Sequence, residues 1–178
     1  TDLMNLTAMF SQLNDADFAS AVQTNLNARL WMRYFAVGSL MNYGETALFN
    51  GIGDDYALYR GIKDPRFVLI GHDFDTIFGQ GDTTSGYPID TNSSPFIMMT
   101  PPSTGGPNVP LLRRLMTNET FVPTFYSELL NLADTIFSPA QLNPLFDQML
   151  NGWGPSANTI NTMKTYAANR RARILAQI

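Results

Sequence analysis

The stretch that most constrains the fold runs from Phe67 to Asp75, where a four-residue apolar run, FVLI, lies between Pro65 and Gly71 and leads into HDFD. A short apolar run punctuated by proline and glycine predicts a buried strand. That strand delivers Asp73 and Asp75 to its C-terminal end. Two carboxylates brought together there repel each other and lose hydration, so a cation is their natural companion. If the strand continues, their offset of two residues points both to one side, where one divalent metal engages both.

Upstream, Glu45 and Asn50 follow an apolar stretch and stand five residues apart. A protein-kinase catalytic loop spaces its acid and its metal-binding Asn in this way, and Asp73-Phe74 falls where a kinase carries the aspartate of its DFG motif. Between them, Tyr56 to Arg60 and Arg66 to Ile70 predict a hairpin across Gly61 to Pro65. Tyr56, Leu58 and Arg60 alternate with Ala57 and Tyr59, which suits a sheet with one buried face. The glycine-punctuated FNGIG at Phe49 to Gly53 lacks the Walker lysine and the hydroxyl residue after it, so it reads as a turn. His72 is the only histidine, and no nucleophile elbow accompanies it. It reads first as a packed or partly exposed ring beside the metal carboxylates, and its nearness to Asp73 offers a tuning role as the alternative.

Taken together, RYFAVGSLMN, the acid Glu45, DDYALY and RFVLIGHDFDTIFG resemble the CotH kinase family, the atypical protein kinases similar to spore coat protein H. The resemblance is strongest over residues 30–79 and weaker in the C-terminal half. Glu45 stands where the family carries Asp, Asp55 where it often carries Asn, and Gly71-His72 where it carries Pro-Trp. The resemblance implies the C-terminal catalytic lobe of a kinase-like fold and metal-dependent phosphoryl transfer from ATP to Ser or Thr of a protein substrate. It implies that Glu45 orients or deprotonates the acceptor hydroxyl. Asn50 and Asp73 would hold Mg²⁺ or Mn²⁺ on the nucleotide phosphates, with Asp75 alongside and Asp55 and His72 auxiliary. It further implies a protein substrate or an envelope or coat protein as partner, and an extracellular, cell-envelope or spore-coat setting. A kinase also needs a strand-borne lysine in an N-terminal lobe. The chain's two lysines, Lys63 and Lys164, both follow Glu45. The expectation is therefore a piece of a longer CotH-like domain, incomplete or inactive by itself.

The rest of the chain reads as helices around this centre. The 178 residues suffice for one domain with a real core, and 44% apolar content excludes a disordered composition. A net charge of −4 gives no basic footprint for nucleic acid, and no apolar run approaches the ~18 residues of a membrane span. Without cysteine there are no disulfides or thiolate metal sites. Helical spacing predicts helices over Thr1 to Leu13, Asp17 to Gln23 with Asn14 or Asp15 as cap, and Ala28 to Asn42. The last of these buries Leu30, Trp31, Tyr34, Phe35, Val37, Leu40 and Met41 and leads to Glu45.

Residues 80–108 are rich in Gly, Ser, Thr and Pro and form a long irregular loop, pinned to the body by Phe96 to Met99, with Asp82 and Asp90 as solvated acids. Four further helices follow in 110–178: Leu111 to Met116, Thr120 to Phe137, Pro139 to Leu150 and Thr159 to Ile178. Asn118 and Ser138 serve as N-caps, and Arg170, Arg171 and Arg173 complement the dipole of the last helix. Arg113 and Arg114 read as surface ion pairs. The fold class is α+β, mostly helical, with a small antiparallel hairpin packed on helices.

Two other classes fit the acidic motif. One is a metal-dependent hydrolase or transferase of DxD type, although Thr76 follows Asp75 one position early for a haloacid-dehalogenase motif and no parallel-strand alternation surrounds it. The other is a non-catalytic secreted or structural binding module whose carboxylates hold a structural cation such as Ca²⁺.

Overall fold

The computed structural model describes residues 2–43, 48, 55–81, 94–101, 103 and 109–178. Three helices open the chain: α1 (Asp2–Gln12), α2 (Asp15–Asn25) and α3 (Ala28–Met41). The Asn14 side chain accepts the Asp17 N–H at 3.0 Å and caps α2. Asn27 caps α3 in the same way through the Leu30 N–H. Each supplies an acceptor to one of the donors that a helix start leaves open. The far end of α3 closes at Asn42, whose left-handed φ of 53° turns the chain outward and lets the Tyr43 N–H reach the Gly38 carbonyl at 3.0 Å. Asparagine adopts this conformation more readily than other side-chain-bearing residues.

Two strands follow, β1 (Tyr56–Arg60) and β2 (Phe67–Gly71), paired antiparallel with Leu58 opposite Leu69. A two-stranded ribbon is marginal alone, so it must be docked. The docking point is the Phe67 carbonyl, which accepts the Asn27 N–H at 3.0 Å and the Trp31 indole N–H at 2.9 Å. Leu58, Phe67 and Leu69 face the core. A 3-10 turn at Ile97–Met99 then buries Met98 completely, the pinning expected within the long loop. Asp82 and Asp90 lie outside the described residues.

Four helices complete the chain: α4 (Pro110–Met116), α5 (Val122–Asp134), α6 (Pro139–Leu150) and α7 (Ala157–Leu175). Helix α3 sits between α5 and α7, and α6 packs on α7. Because α3 has neighbours on more than one side, Trp31, Met32, Phe35, Ala36, Ser39 and Leu40 are all buried. Complete burial of Phe35 or Met32 stabilises the fold by about 1.5–3 kcal/mol each.

The α+β class, mostly helical with a small antiparallel sheet, is thus as expected. Several local expectations are corrected. FVLI is not a fully buried strand: Ile70 is 48% exposed, because the hairpin covers the core with one face only. Leu30 is 45% exposed on α3, while Met32 and Ala36 take core places. Ser138 stands at the start of α6, but its hydroxyl donates back to the Thr135 carbonyl at 2.7 Å and does not cap. Asn118 forms a turn with the Thr120 N–H, and α5 begins later, at Val122. Arg170 does not serve the helix end. It is 1% exposed and its Nε–H donates to the Ser39 carbonyl at 2.8 Å, tying α7 to α3. Arg114 is more than a surface ion pair: it donates to the Phe10 and Leu13 carbonyls and to Asp15, with its guanidinium 4.2 Å from the Phe18 ring centroid.

Candidate functional site

Asp73 and Asp75 are carried on a turn that follows β2 directly. The strand ends at Gly71, and Asp73 takes a left-handed φ of 52°. The condition for a strand-like offset therefore fails, and the two carboxylates are presented by a tight turn instead. Aspartate is among the few side-chain-bearing residues that enter this region with modest strain. Both carboxylates are exposed, as is His72.

The backbone beneath them is firmly held. Across the hairpin, the His72 N–H donates to the Asp55 carbonyl at 3.2 Å, extending the ladder one pair beyond the strands. Tyr43, only 3% exposed, donates its hydroxyl proton to the His72 carbonyl at 2.7 Å, with the Asp55 carbonyl at 3.1 Å and the Asp73 carbonyl at 3.5 Å. Its ring lies 5.0 Å from that of Phe74, centroid to centroid. Phe74 in turn lies over Gly71, where any Cβ would overlap its ring, and Tyr34 packs on the same spot.

The far side of the turn is anchored as well. Thr76 is buried, and the Phe78 N–H donates to the Met41 carbonyl at 2.9 Å. The Phe78 ring packs edge-on against Phe146 at 5.0 Å. Gly79 has a φ of 73° with the Tyr166 ring against its Cα, and the Tyr166 hydroxyl accepts from the Asn42 side chain at 2.7 Å. Two chain segments thus meet here: the exit of α3 and the turn after β2.

The structure brings Asp55, His72, Asp73 and Asp75 to one end of the hairpin. Glu45 and Asn50 lie outside the described residues. Among the described residues, no three His, Cys, Asp or Glu side chains are grouped so as to hold a metal ion.

The sequence matches the family described as CotH kinase protein over residues 1–174. The chain belongs to the CotH kinase family. The match extends well beyond the 30–79 stretch in which the motifs stand, so the C-terminal helices belong to the same family domain. No curated protein matches the chain.

Within this CotH kinase domain, the family motif proves to be largely scaffold. Arg33 donates to Glu128 on α5 at 2.9 Å, beside Arg29 at 2.7 Å, and Ala36 is fully buried. Burial pushes the Glu128 carboxyl up, but hydrogen bonds and charge from Arg29 and Arg33 outweigh it and leave the group below its ordinary value. Sequence reasoning missed Tyr43, Asn42 and Tyr166. For Tyr43 a signal existed: it is an aromatic ring with a polar tip just past the apolar end of α3, which a buried site accepts only with a hydrogen-bond partner. No helix among the described residues is long and apolar enough to cross a membrane.

Proposed function

We propose that this CotH-family chain supplies the cation site for kinase-type chemistry at the turn after β2, where Asp73 and Asp75 would bind a divalent cation together with nucleotide phosphates, the phosphate-facing lysine coming from outside this stretch. The observation that carries this reading is the anchored turn itself: both carboxylates are exposed to solvent while Tyr43, Phe74, Phe78 and Gly79 fix the backbone beneath them. Hard carboxylate oxygens suit Mg²⁺ or Mn²⁺, and Mg²⁺ commonly takes one or two carboxylates while phosphates and water complete its shell. The donor set of the turn therefore fits the ion. When bound, the cation neutralises charge on the transferring phosphate.

The other roles fall to the chain's own residues. Asp73 and Asp75 fix where the nucleotide phosphates sit. Glu45 would orient or deprotonate the acceptor hydroxyl, a Ser or Thr of a protein substrate, and Asn50 would offer an amide oxygen to the cation. Tyr43, two residues before Glu45 in the sequence, is bonded to the turn that bears Asp73, which supports grouping them in one site. Phosphoryl transfer depends on positioning and charge neutralisation, so losing Asp73 should cost more than losing Glu45. A coat or envelope protein is the substrate class that the family's association favours.

The test is Asp73→Asn, which keeps a residue tolerant of left-handed φ and removes only the charge. Mn²⁺ with ATP, titrated by calorimetry, should bind the parent chain and lose at least tenfold in affinity in the variant. Equal affinity would refute the assignment. Binding of Ca²⁺ by the parent with no response to ATP would instead mark a structural cation site.

A further inference from the structure

We propose that Tyr43 is the positioning residue of this site: its hydroxyl holds the Asp73 backbone in the conformation that presents the carboxylate. The inference rests on the acid turn being the cation site. A tyrosine hydroxyl has a single proton, and here three carbonyl oxygens converge on it, those of His72, Asp55 and Asp73 at 2.7, 3.1 and 3.5 Å. Carbonyl dipoles aimed at one point repel each other, and the hydroxyl proton is the donor placed among them. Tyr43 thus joins the entry of β1 to the exit of β2, immediately before Asp73 turns left-handed at φ 52°.

The ring makes the same connection by packing. It is 3% exposed and tilted 46° against Phe74, the residue between the two acids. Phe74 occupies the space over Gly71, so the turn is held from below by the Tyr43 and Tyr34 rings and from behind by the hairpin. The carboxylates take no part in this clamp, so they are free to serve a ligand without distorting the fold. Residues that orient a metal ligand from behind typically change metal affinity 10–100-fold when removed.

Tyr43→Phe separates the hydroxyl from the ring, since the contact with Phe74 survives. Two readouts are needed. In metal-free protein, amide hydrogen exchange should speed up at His72, whose N–H closes the ladder onto Asp55, while the Ala57 and Tyr59 amides within the hairpin keep their protection. With Mn²⁺ added, affinity read from paramagnetic broadening of the amides of residues 72–76 should fall about 10–100-fold. A merely structural tyrosine would lower the melting temperature yet leave the affinity of the folded protein unchanged, and that result would overturn the proposal. Unchanged exchange at His72 would overturn it too, whether or not metal binds. Absence of Mn²⁺ binding by the parent chain would instead count against the cation site, with the exchange data still deciding the clamp.

Discussion

The carboxylate of Glu128 is the sharpest test of how α3 is fastened to α5. Its side chain is 6% exposed and sits between two arginines of unequal burial, Arg29 at 75% and Arg33 at 37% exposed. Arg33→Ala removes a 2.9 Å charge-assisted bond but leaves the Arg29 bond at 2.7 Å, so the cost is about 1–2 kcal/mol, at the low end for bonds to charged groups because Arg33 is partly hydrated. Removing both arginines is different in kind. The carboxylate is then nearly dry and unpaired, and the loss rises to about 3–5 kcal/mol, or a fall in melting temperature of about 6–20 °C for a chain of this size.

The pH dependence follows from the sign of the shift. In the parent, Glu128 is held below its ordinary value, so its contribution is present above the unfolded carboxylate pKa and lost as pH falls through the lower folded value. In Arg29→Ala/Arg33→Ala only burial remains, which raises the folded value, so the variant is penalised at neutral pH and relieved once the carboxyl is protonated. Urea unfolding followed by far-UV circular dichroism at pH 7 and pH 3 measures both. A double-variant loss below ~1 kcal/mol at pH 7, or one that does not shrink on acidification, would refute the pairing argument.

Gly79→Ala should destabilise by more than the ~1–2 kcal/mol of a left-handed residue, because the new Cβ would also lie 2.5 Å from the Tyr166 ring. Gly152→Ala, at a φ of 85° with nothing within 4 Å, gives the backbone cost alone, so equal melting temperatures for the two variants would deny the Tyr166 contact. Asp64, in the hairpin turn, accepts from the Arg66 side chain and N–H, which hold its carboxyl down to about 2. An NMR titration should show it ionised until pH falls to that value, and Arg66→Gln should return the midpoint toward the ordinary carboxylate range near ~3.9; an ordinary midpoint in the parent would contradict the pairing.

The helices and the hairpin were legible because they rest on local rules. Apolar spacing located α1 and α3, Asn14 was recognisable as a cap, and Pro65 with Gly61 delimited the turn between β1 and β2. What was not legible depends on distant partners. Arg170 looks like a dipole-complementing cation until α3 brings the Ser39 carbonyl to it across 131 residues. Ile70 looks buried until the hairpin proves to be one layer with a single covered face. Ser138 has the right residue type and position for a cap, yet the Thr135 carbonyl is the nearer partner.

The site was half legible for a related reason. Asp73 and Asp75 announce themselves by charge at the end of an apolar run, whereas the contacts that hold their backbone, made by Tyr43, Phe74 and Gly71, depend on partners distant in the sequence. The same division runs through the family motif. Arg33 serves Glu128 and so fastens α3 to α5, Tyr34 packs against Gly71, and Ala36 fills the core beside α3's neighbours, so among the described residues these positions serve the scaffold. A motif match of this kind therefore reports the scaffold, and the proposed chemistry has to be tested separately at Asp73, Asp75, Glu45 and Asn50. Because the Tyr43 hydroxyl reaches the backbone carbonyls of His72 and Asp73 and not the Asp73 carboxylate, Asp73→Asn should leave the turn intact, which makes it the substitution that tests the proposed chemistry apart from the scaffold.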